Sequence, residues 1–241
     1  MNLYNRLFLI ILFIYGIKSE STEEDPSDTA TLLKTYKSYI NASHDLDRSD
    51  RSLLKLWTTE FQIQLVNVTT QYRLEMIRHK EHNFAWIKNN AVWMECIDSH
   101  RSEVNNSERN YFEVESTCLR EANAEESRER QSVYQLEREI RKWRKSYRYL
   151  LNQCNINNAG DEEAAGECLV GFMQKDNYYT TFQRLILLKL ESMSNLYSET
   201  LVALKNCEEC LKTNLSSYFT NVRNTMEILN RCYRKKSSLL L

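Results

Sequence analysis

Apolar side chains recur along this chain at intervals of three and four residues. Val133, Leu136, Ile140, Trp143, Tyr147 and Leu150 follow this spacing, and Cys154 comes four further on. Trp57, Phe61, Leu65, Val68, Tyr72 and Met76 form a second stripe. Phe182, Ile186, Leu190, Met193, Tyr197, Leu201 and Leu204 form a third. Leu211, Leu215, Tyr218, Val222, Met226 and Leu229 form a fourth. Such spacing lines one face of an α-helix. A helix with one apolar face must bury it against another, which predicts a bundle. Core packing is the plain reading of the aromatic and Met positions, ahead of any cofactor pocket, and Cys154 belongs to the buried seam.

Residues that interrupt helices are scarce. The only proline is Pro26, and from Thr29 to Ala159 there is neither glycine nor proline. Gly160, Gly166 and Gly171 fall close together. A β-rich protein of this size would need many more turn residues. The expected fold is therefore all-α, an elongated antiparallel bundle of long amphipathic helices stapled by disulfides. Two segments are candidate turns: "EVNNSERN" at 103–110, and the polar loop inside "CNINNAGDEEAAGEC" at 154–168.

The N-terminus adds a compartment. Arg6 precedes an apolar run of 11 residues, Leu7 to Ile17, closed by Lys18 and Ser19. The run is too short to span a bilayer and has the form of a secretory signal peptide over residues 1–19. Residues 20–30 read as an acidic disordered segment, 31–236 as a single helical domain, and 237–241 as a tail. No later stretch has the length of a membrane span. Four sequons agree with a secreted, extracellular glycoprotein: Asn41, Asn67, Asn105 and Asn214, each of which must face solvent to carry a glycan. The formal charge of -1 becomes -3 once Arg6 and Lys18 leave with the signal peptide, so no global field favours nucleic acid as a partner.

Seven cysteines in an oxidising compartment imply disulfides and one odd thiol. Choice of the odd thiol and of the pairing leaves about a hundred arrangements. Cys154 and Cys168 flank the second turn, and a bond between them would be worth about 3 kcal/mol. Cys96 and Cys118 could face each other across a hairpin turning at Asn105 to Ser107. In one continuous helix they would stand about 33 Å apart and each would bond elsewhere. Both arrangements stay open. The spacing from Cys96 to Cys118 equals that from Cys210 to Cys232. A duplicated helical unit would explain this, making Cys210 the counterpart in register and Cys207 the odd thiol, available to link two chains into a dimer.

Three motifs invite a chemical reading. Cys207 and Cys210 form the only CxxC. A catalytic pair needs a thiolate stabilised at a helix N-terminus, whereas this one falls within a helical stripe beside Glu208 and Glu209. Structural zinc would need a second ligand pair. His79 and His82 share a helix side, but no HExxH accompanies them, and His44 and His100 are isolated, so a solvated face is the better reading. "REIRKWRKSYR" collects Arg138, Arg141, Lys142, Arg144, Lys145 and Arg148 around Trp143 and Tyr147. It is either a patch for anionic partners or, the favoured reading, a polar helix face paired with Glu137 and Glu139. The sequence nominates no catalytic, cofactor-binding or metal residue, and no cofactor is expected.

The cysteine order resembles the insect secreted TsetseEP-domain family. "WMECIDSH" (93–100), "STCLREANAE" (116–125), "RYLLNQCNI" (148–156), "GECLVGF" (166–172) and the run from "CEECLKTN" to "NRCYRKK" carry the resemblance, over about residues 93–235. The Glu-Pro repeat tail of the founding member is absent here. The resemblance implies a secreted all-helical protein of the gut or another epithelial fluid, linked to immune response. It supplies no catalytic residues. The leading expectation is a non-enzymatic glycoprotein that binds an extracellular protein or a surface. A carrier of a small apolar ligand and a reproductive-tract or seminal-fluid protein are the alternatives.

Overall fold

The computed structural model describes residues 29–85, 87, 90–175 and 177–238. The proposed signal peptide, most of the acidic segment and the last three residues lie outside this range. Among the described residues there are five helices and no strand: α1 (Thr29–Phe84), α2 (Ala91–Ser99), α3 (Arg101–Asn157), α4 (Glu162–Lys175) and α5 (Tyr178–Ser237). The all-α expectation holds. The helices fall into two compact units.

One unit takes α1 as far as His44, α3 from Trp143, all of α4, and α5 as far as Phe182. Trp143 organises it. Its indole stacks on Phe182 at 3.9 Å between centroids. Its Nε1 donates to the Tyr178 carbonyl, and the Tyr178 hydroxyl donates back to the Trp143 carbonyl. Cys154 and Cys168 are bonded, as the loop between them predicts. Gly160, at φ +94°, makes the turn after α3, a left-handed conformation that costs glycine nothing. Gly166 matters for a different reason. A Cβ there would stand 3.0 Å from Leu33 Cδ1, so its absence lets α4 approach α1.

The other unit holds the rest of α1, α3 and α5, together with α2. Arg51 meets Glu137, Thr58 meets Glu126, Arg73 meets Glu115 and Lys80 meets Glu108. Each step forward on α1 is thus a step back on α3, and the two run antiparallel. Asn214 meets Tyr111 and Ser192 meets Ser132, so α3 is antiparallel to α5 as well. The core joins Phe61, Leu65, Tyr72 and Met76 of α1 to Tyr111 and Cys118 of α3 and to Leu211, Leu215, Tyr218 and Val222 of α5. These are largely the positions the periodicity selected.

Three expectations are corrected here. "EVNNSERN" is no turn but lies inside α3, with Ser107 buried. The break falls earlier, between the end of α1 at Phe84 and the start of α2 at Ala91, where the Asn90 side chain caps α2 by accepting from Val92 N and Trp93 N. An Asn before an apolar run is a helix-start signal that needs no glycine. Leu201 is 48% exposed, and the seam of α5 runs instead through Lys189, Leu196, Thr200, Ala203 and Cys207. Hydropathy misses this register because two of those residues are polar and two are small.

Finally, Cys96 bonds Cys232 and Cys118 bonds Cys210, not the two 21-spaced pairs. With α3 continuous, Cys118 cannot turn back to Cys96. The equal spacing is a register effect. The residue numbers of the two bonded pairs add to the same value, as partners on antiparallel segments must.

Candidate functional site

Polar side chains enter the core of the second unit at regular intervals. Lys189 Nζ lies 2.9 Å from Asp47 Oδ1 and 2.7 Å from Asp50 Oδ2. Glu137, Glu126 and Glu115 are also buried, and each meets an arginine whose head reaches solvent: Arg51 and Arg141, Arg130, and Arg73 respectively. A buried charge is tolerated when it is paired and hydrogen-bonded. Burial alone would raise the Glu137 carboxyl, but hydrogen bonds and charge from Arg141 and Arg51 outweigh this and hold it below the ordinary range.

Glu137 with Arg51 and Arg141 lines a groove of about 500 Å³ between α1 and α3. Arg51, Leu54, Lys55, Thr58 and Thr59 line it from α1. Arg130, Tyr134, Glu137, Arg138 and Arg141 line it from α3. Five cationic groups therefore face one carboxylate. Helical spacing explains the convergence, since residues three and four apart share a face. The basic stretch was legible in the sequence as far as Arg138 and Arg141. Its other half, Arg51 and Lys55, lies over 80 residues away and carried no signal.

The basic stretch divides. Arg141 pairs with Glu137 and Lys142 with Glu139, as the polar-face reading expects. Arg144 is buried and donates to Ser43 Oγ in the first unit. Arg148 sits 3.5 Å from His44 Nε2.

The CxxC is mid-helix in α5. Cys210 is bonded to Cys118, and Cys207 is the free cysteine, 3% exposed. Burial pushes its thiol up, away from the thiolate. The folded unit covers this residue, so a bond to a second chain would need α5 to open locally. His79 stacks on Phe219 at 4.1 Å, and burial lowers its imidazole, with His82 adding to the effect. Among the described residues no group of three or more His, Cys, Asp or Glu is placed to hold a metal. Asn41, Asn67 and Asn105 are exposed. Asn214 is not: it is buried, and its Nδ2 donates to the Tyr111 carbonyl at 2.9 Å, so the fold has no room for a glycan there.

No family model, no curated protein and no solved structure matches this chain. The groove's own chemistry carries the functional argument.

Proposed function

We propose that this is a secreted, non-enzymatic helical glycoprotein that acts by binding an extracellular partner or surface. One observation carries the reading: an open α1–α3 groove holds more positive charge than its own carboxylates offset. The hydrophobic run near the N-terminus, three exposed sequons and three disulfides support the compartment. The resemblance to the TsetseEP-domain family supports an epithelial fluid such as that of the gut, with a link to immune response. The tyrosine and tryptophan stripes pack ring on ring, for example Tyr111 on Tyr218 and Trp57 on Tyr197, which is core filling rather than a ligand chamber.

Expression of the full chain in a eukaryotic secretory host tests this reading. The protein is expected in the medium, faster on a gel after glycosidase, with one thiol per chain released only on unfolding. Retention inside the cell, or hydrolytic or redox turnover by the purified protein, would overturn it.

A further inference from the structure

The α1–α3 groove specifies a ligand chemistry. Resting on the secreted binding role proposed above, we infer that it binds a linear sulfated glycan. The first argument is surplus charge. Glu137 Oε1 accepts from Arg51 Nε at 2.9 Å, from Arg51 Nη2 at 2.7 Å, and from Arg141 Nη2. Two guanidinium groups on one carboxylate leave a positive charge over. The Arg51 and Arg141 side chains are also 55% and 48% exposed, so N–H donors remain for a ligand. Arg130 is offset by Glu126. Lys55 and Arg138 line the same groove and form no ion pair among the described residues. Of five cations, three are without a matching carboxylate.

The second argument is pre-organisation. Arg51 and Arg141 are held by a buried acid, so less side-chain freedom is lost when an anion arrives. A guanidinium fork matches the oxygens of a sulfate ester.

The third is shape. Arg130 and Arg141 are eleven residues apart on one helix, so the cations spread over about 16 Å along the groove. That suits an extended chain carrying several anions. Thr58, Thr59 and the half-exposed Tyr134 ring line the same groove; the two threonine hydroxyls donate to Glu126 and the Lys55 carbonyl and can still accept from sugar hydroxyls, while the ring suits the C–H face of a sugar. Nucleic acid fits less well: one exposed ring makes no stacking platform. An anionic membrane also fits less well, because the groove's apolar member, Leu54, is buried and nothing there can insert.

The test is heparin binding by the full disulfide-bonded protein at about 0.15 M salt. The wild type is expected to bind heparin and to ignore desulfated heparin. Lys55→Gln with Arg138→Gln should weaken binding by roughly tenfold or more and flatten its salt dependence. Lys212→Gln, a neutralisation elsewhere on α5, should leave binding unchanged. Failure to bind heparin, equal loss with Lys212→Gln, or binding as tight to single-stranded DNA or phosphatidylserine vesicles would overturn the inference. A protein that is secreted and folded yet ignores heparin overturns this inference alone. Retention in the cell overturns the reading beneath it.

Discussion

Lys189 Nζ sits 2.7 Å from Asp50 Oδ2 in the core of the second unit, and neither side chain is more than 4% exposed. With Asp47 it forms a buried cluster of one cation and two carboxylates. Lys189→Met should cost about 3–5 kcal/mol in urea unfolding, because Asp50 is left buried without its ion-pair partner. Replacing Lys189 and Asp50 together by apolar residues of similar volume should cost far less.

The acids predict opposite responses to pH. Burial raises the Asp50 carboxyl; Lys189 opposes this, and Asp47 and Glu137 add to it. A raised carboxyl contributes stability that is full below the ordinary value of about 4 and is lost as pH rises through its folded value. Glu137 is lowered in net, so its contribution is full above the ordinary value and is lost as pH falls through its folded one. Between pH 7 and about pH 4, Asp50→Asn should therefore lose stability more steeply than wild type, whereas Glu137→Gln should lose it less steeply only below about pH 4.5, as the pH falls towards the lowered folded value. Urea titrations at both pH values would check the signs.

The Cys118–Cys210 bond closes 92 residues and Cys154–Cys168 closes 14. Chain entropy assigns them about 4.5 and about 3 kcal/mol. Removing the first pair as alanines should lower the melting temperature more than removing the second. An equal or reversed effect would show that the longer crosslink restrains an unfolded state that is already compact.

Cys207 should be silent to thiol reagents in the native state and label at the rate of opening of the second unit. Non-reducing electrophoresis should show a monomer band. Rapid native labelling would mean that α5 opens locally around this position.

Tyr111 is the reverse of a useful polar group. Its hydroxyl is buried without a hydrogen-bond partner, and burial pushes it up to about 12. Tyr111→Phe should be neutral or stabilising, by up to about 1 kcal/mol, whereas Asn214→Ala should destabilise by about 1 kcal/mol through loss of the hydrogen bond its amide donates to the Tyr111 carbonyl. Thermal melts of the two variants would separate these outcomes.

α1 carries a second apolar face. Leu56, Ile63, Val66, Leu74 and Ile77 are exposed, roughly opposite its buried seam at 100° per residue. Asn67 is one turn from Ile63 and next to Val66. Its sugar would cover the middle of this face, so Asn67→Gln should aggregate more readily than Asn41→Gln or Asn105→Gln. Light scattering on heating would report it.

Much of the fold was legible because its signals are local. Trp57 to Met76 and Leu211 to Leu229 repeat at helical spacing, and their buried faces follow from that alone. The turn around Gly160 was legible because glycine alone is at ease at its φ. The start of α2 was not picked out, since its one local signal is the Asn90 cap. The groove was half legible: Arg138 and Arg141 stand in a conspicuous run, while Arg51 and Lys55 join them only through helix pairing.

The sequence by itself determined the helical class and the Cys154–Cys168 bond, because each depends on spacing within one segment, and the count of seven cysteines required one odd thiol without fixing which. Tertiary structure decided the rest of the disulfide map. Cys96 and Cys118 have the same separation as Cys210 and Cys232 whether each pair bonds within itself or across two antiparallel segments. Only the pairing of α5 with α2 and α3 distinguishes these, by bringing Cys232 to Cys96 and Cys210 to Cys118. The same pairing buries Asn214 and Cys207, and α1 supplies the acids that meet Lys189. A polar residue reads as surface until a partner helix supplies its counter-charge, and that partner lies far away in the chain.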